Sequence, residues 1–142
     1  MIVNIDHINI VVSDLIETEN FFKKLGFIRN HKEKIEGDWI SEVVGLEGVS
    51  ADYIALSLPE SDVCVELIKY YSPVSPQTNL NEQANTIGFR HVALKVKDIE
   101  KEVKKLESLN IKFNSKIHRK GNKLLVYFSG PDDIIMELAE YL

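Results

Sequence analysis

The sequence predicts an α+β fold built from two βαβββ modules, and three observations predict it. Apolar residues make up 44% of the 142 residues and charged residues 27%, the balance of a folded chain rather than a disordered one. The length suits one domain, or two half-sized modules sharing one core. The apolar segments run strand, helix, three strands, and that order occurs twice. Between the copies lies YSPVSPQTNLNEQANT, a polar stretch with two prolines that reads as a linker. The expected organisation is therefore a first module over 1–70 with an insert near 37–48, a linker over 71–86 and a second module over 87–142.

Each element has a local reason. Ile2 to Val12 is rich in β-branched residues and reads as a strand. Ser13 and Asp14 are N-cap residues for the helix that follows, with Leu15, Phe21, Phe22 and Leu25 on one face and Gly26 ending it. Phe27 to Lys34 reads as a short strand. Residues 37–48 are bounded by glycines and read as a short helix or loop. Val49 to Leu58 and Val63 to Tyr70 read as strands around the turn Pro59 to Asp62. In the second module Ile87 to Val96 reads as a strand, and Asp98 caps a helix with Ile99, Val103, Leu106 and Leu109 inward. Ile111 to Ile117, Lys123 to Phe128 and Ile134 to Tyr141 complete the set as strands.

Several function classes drop out. The net charge of −5 argues against a general nucleic-acid binder. No apolar run approaches the roughly 20 residues of a membrane helix, and MIVNIDHINIVV does not read as a signal peptide. Cys64 is the single cysteine, so an internal disulfide is impossible. A cytoplasmic protein is expected.

The repeat extends to individual residues. IDHINIVVSD aligns with FRHVALKVKD, and VCVELIKY aligns with IIMELAEY. His7 then matches His91, and Glu66 matches Glu137. Strand alternation places all four opposite the apolar residues that pack under the helices. Two imidazoles and two carboxylates on one face make a sensible divalent metal site for Zn, Ni, Co, Mn or Fe. Asn9 shares the His7 face and is a candidate to bind substrate oxygen. Trp39 and Tyr53 are candidate aromatic walls for a small-molecule substrate. His31 and His118 sit in charged surroundings and read as surface residues. Cys64 reads as a small filler, and the basic stretch from Lys116 to Lys123 as a solvated turn.

Across these motifs the chain resembles the vicinal oxygen chelate superfamily, the group of glyoxalase I, bleomycin-resistance proteins and extradiol dioxygenases. The carriers are DHINIVVSD, VELIKY, FRHVALKVKD and GPDDIIMELAEY. The resemblance implies a glyoxalase-like fold whose paired modules form a cupped mixed sheet around a metal. Carried over by position, the ligands are His7, Glu66, His91 and Glu137. The ligand set is most similar to the glyoxalase I and epimerase branch. It implies a lyase or isomerase that works on vicinal oxygens through a metal-stabilised enediolate, with Glu137 as the preferred base and Glu66 as the second. Val11 stands where glyoxalase I has an arginine that holds glutathione, so use of glutathione is not expected. An Fe(II) extradiol-type dioxygenase and a non-catalytic drug- or metabolite-binding protein are the alternatives. A homodimer is expected because each module leaves sheet edges to cover.

Overall fold

The computed structural model describes residues 1–76 and 83–142. It divides into two compact units, Met1–Thr78 and Asn79–Leu142. The first contains β1 (His7–Val11), α1 (Leu15–Lys24), β2 (Ile28–Glu36), α2 (Asp38–Val44), β3 (Ser50–Ser57) and β4 (Cys64–Ser72). The second contains β5 (His91–Lys95), α3 (Ile99–Ser108), β6 (His118–Lys120), β7 (Lys123–Ser129), a 3-10 turn (Pro131–Asp133) and β8 (Ile135–Tyr141). Each unit holds one four-stranded mixed sheet, in the orders β1-β4-β3-β2 and β5-β8-β7-β6. In both, the first strand runs parallel to the last and the remaining pairs are antiparallel. The expected α+β class and the twofold βαβββ order are present.

Helix α1 starts where Asp14 accepts hydrogen bonds from the backbone N–H groups of Ile16 and Glu17. Its apolar face packs on the sheet through Phe22, whose ring meets Phe21 and Phe27 edge-on at 5.4 and 5.1 Å. Ile54, Leu56 and Leu67 bury on that side of the sheet. In the second unit Ile99 and Leu106 of α3 bury, as do Phe128, Met136 and Leu138. The opposite faces are mixed: Glu66 and Tyr53 share theirs with Ala55 and Ile68, and Glu137 and Tyr127 share theirs with Leu125 and Ala139, so small and aliphatic side chains surround the polar groups.

Several boundaries differ from expectation. β1 begins at His7, not Ile2, and β5 at His91, not Ile87, because the parallel partners engage only from Cys64 and Ile135 onward. Ile2 and Ile87 are left exposed. Residues 111–117 form no strand and contribute one bridge, Phe113 to Phe128, so the pairing strand is the short β6. Leu109 is 36% exposed rather than inward, since α3 ends at Ser108 and Asn110 turns left-handed at φ 64°. β4 continues through Ser72 into the expected linker, and residues 77–82 of that linker lie outside the described residues. The insert forms α2, closed by Gly45 in the left-handed region at φ 70°.

Candidate functional site

Parallel pairing sets the geometry of each module. In the first, Asn9 lies beside Glu66 in register and His7 beside Cys64. In the second, Ala93 lies beside Glu137 and His91 beside Ile135. Each histidine is therefore displaced from its glutamate by the same two residues, one full pleat, on the same face. The side chains close the diagonal: His7 Nε2 lies 3.4 Å from Glu66 Oε2, and His91 Nε2 lies 3.2 Å from Glu137 Oε2. All four predicted ligands thus occur as two His–Glu pairs, one in each module. No group of three or more His, Cys, Asp or Glu side chains suited to a metal is gathered among the described residues.

The donor chemistry of each pair fits a divalent ion. Nitrogen and oxygen ligands about 2.1 Å from one ion, at tetrahedral or octahedral angles, stand about 3.0–3.4 Å apart. His7 is also oriented from its far side, where Nδ1 lies 2.7 Å from Asp6 Oδ2. A carboxylate on the far ring nitrogen favours the tautomer with its proton on Nδ1, which leaves the Nε2 lone pair facing Glu66. The Asp6 hydrogen bond, helped by the charge of Glu66, raises the His7 pKa against the lowering effect of burial.

The second module is built differently around the same pair. The Glu137 side chain is buried at 4% exposure, against 28% for Glu66. Lys123 Nζ stands 2.5 Å from Glu137 Oε1, an ammonium–carboxylate ion pair. The hydrogen bond to Glu137, helped by its charge, holds the Lys123 ammonium above its ordinary pKa against the lowering effect of burial. Tyr127 faces Glu137 across β7 and β8, with its Oη 3.4 Å from His91 Nε2. Burial first, then the Glu137 charge, pushes the Tyr127 phenol up.

The substrate candidates separate. Asn9 is exposed beside Glu66 on the site face. Tyr53 is half-buried on the same face, its pKa raised by burial and then by Glu33 and Glu66. Trp39 stands outside the sheet on α2, 59% exposed, and is not brought onto that face. His31 is exposed as expected, yet it bonds Glu33 at 3.0 Å and lies against Tyr53. Asp6, Lys123 and Tyr127 were not singled out by sequence reasoning. Laying β7 against β8 in antiparallel register from the repeat would have placed Tyr127 beside Glu137. Adjacency to His7 would have flagged Asp6.

These features define a protein of paired βαβββ modules, each carrying a His–Glu pair on its open sheet face. The Glyoxalase/Bleomycin resistance protein/Dioxygenase superfamily profile matches residues 4–138, and the chain belongs to that superfamily. A glyoxalase family protein from Bacillus cereus shares the fold at TM-score 0.90 and 24% identity, covering 100% of this chain and 96% of that one. The fosfomycin resistance protein FosX from Listeria monocytogenes, complexed with Mn(II) and sulfate, matches at TM-score 0.62 and 14% identity, covering 100% and 95%. TnmS3, an antibiotic-binding protein from Streptomyces sp. CB03234, matches at TM-score 0.67 and 15% identity, covering 99% and 98%. A search of curated proteins gives no match.

Proposed function

We propose that the chain is a divalent-metal-dependent lyase or isomerase acting on a small substrate with vicinal oxygens. His7, Glu66, His91 and Glu137 would hold one Zn, Ni, Co, Mn or Fe ion. The observation that carries this reading is the His–Glu pair repeated at the same register in two modules. When bound, the ion supplies Lewis acidity toward a carbonyl oxygen. One carboxylate, Glu137 in preference to Glu66, takes a proton from the carbon beside the carbonyl and returns it. Asn9 donates a hydrogen bond to a substrate oxygen, and Tyr53 and Tyr127 provide aromatic walls. Trp39, on α2, belongs to this reading only as an outer contact. A cytoplasmic homodimer completes the proposal, to be checked by light scattering.

Elemental analysis of the purified chain tests it. The expected result is about one divalent ion per chain, lost in His91→Ala. Equal metal in both proteins overturns the ligand set. A screen of 2-oxoaldehydes, hemithioacetals and acyl-CoA thioesters should then give turnover without oxygen.

A second reading, a non-catalytic small-molecule binder, is favoured by the ammonium already seated on Glu137. It predicts ligand binding unchanged by chelators.

A further inference from the structure

The two His–Glu pairs share a register but not a charge balance. Asp6 and Glu66 place two carboxylates around His7. Around His91 the carboxylate of Glu137, its one ion-pair partner among the described residues, is matched by the ammonium of Lys123. Lys123 pairs in register with Tyr141, four residues beyond Glu137 on β8, so its side chain must run back along the face to reach Oε1. Its Nζ also stands 5.8 Å from the Tyr141 ring centre. Lysine spends side-chain freedom to hold such a position, and burial of the carboxylate supplies the reason. A charged carboxylate taken out of water needs a counter-charge.

We propose that Lys123 is a positioning residue that competes with a divalent cation for Glu137, occupying Oε1 and leaving Oε2 beside His91 as the available ligand atom. This rests on the metal-dependent reading above. Two cations that share one poorly solvated carboxylate repel each other. The lysine therefore weakens metal binding at this pair, and nothing comparable opposes it at Glu66, whose ion pair among the described residues is with His7. Removing the ammonium leaves Glu137 Oε1 uncompensated, and an incoming cation then relieves that cost.

The test is calorimetric Mn(II) titration of the metal-stripped full chain, with thermal melts of each protein with and without Mn(II). Lys123→Met is expected to bind Mn(II) at least about tenfold more tightly than the wild type, while Lys123→Arg stays within about twofold. Lys123→Gln keeps a hydrogen-bond donor without the charge and should repeat the gain if the methionine variant folds poorly. Adding Glu137→Gln to either variant should cancel it. A lysine of purely structural role would lower the melting temperature without raising affinity, and that result overturns the proposal. Equal Mn(II) binding by wild type and variants overturns the role of Lys123 and leaves the metal-dependent reading standing. No binding by any of the proteins overturns both.

Discussion

Asp6 shows how much one side chain decides. Its carboxylate lies 2.7 Å from His7 Nδ1, which points the other ring nitrogen at Glu66. Asp6→Asn should weaken Mn(II) binding by about tenfold or somewhat less, because the aspartate is solvent-exposed. The far-ultraviolet spectrum should not change, and an unaltered affinity would remove Asp6 from the site. Glu19 gives a prediction about stability. It is buried at 1% exposure on α1 and held by Arg29 and Lys23, chiefly by the Arg29 hydrogen bond, which lowers its pKa from 4.5 to about 2. A depressed carboxylate stabilises the fold above its unfolded pKa. The contribution is complete above pH 4.5 and fades as pH falls through about 2. Glu19→Gln should lose on the order of 2 kcal/mol at pH 7 and little near pH 2, read from urea midpoints. At this scale the four ligand candidates were legible because the repeat aligns them. Lys123 was not, because its role depends on a side chain that travels along a neighbouring strand. Neither spacing nor alternation carries that information.

The elements follow from local chemistry wherever they need no distant partner. α1 and α3 were readable through Asp14, Asp98 and their apolar faces. Their caps differ in strength. Asp14 accepts two backbone N–H groups, whereas Asp98 accepts one from Lys101, and Glu140 of β8 accepts the Ile99 N–H at 2.8 Å. Asp14→Ala should cost about 1 kcal/mol. Asp98→Ala should cost less, because a strand residue supports the same helix end. Chemical denaturation of the two variants checks the order, and a larger loss in Asp98→Ala would contradict it. Strand ends were less legible. Ile2, Val3, Ile5 and Phe89 have strand-like composition but remain exposed, because β1 and β5 pair only as far as β4 and β8 reach. Apolar content marks where a strand is possible, and a partner decides where it begins. The stretch 111–117 failed for the same reason, holding a single bridge to β7.

For the whole molecule, the repeat predicts a stoichiometry. If both pairs serve one ion, His7→Ala and His91→Ala should each reduce bound metal from about one ion per chain to none. Two ions in the wild type, with one lost in each variant, would mean two separate half-sites. The twofold βαβββ plan was legible because the same order of periodicities recurs, with matching His and Glu anchors. A further consequence comes from the outermost strands. β2 is a nine-residue border of its sheet and reads IRNHKEKIE; β6, at the border of the other, reads HRK. A free row of backbone amides is an adhesive margin, and a dense run of ionic side chains makes a second chain costly to seat there. Replacing Lys32 and Lys34 together with valine would leave the fold's interior untouched and turn that margin into a template for fibril growth.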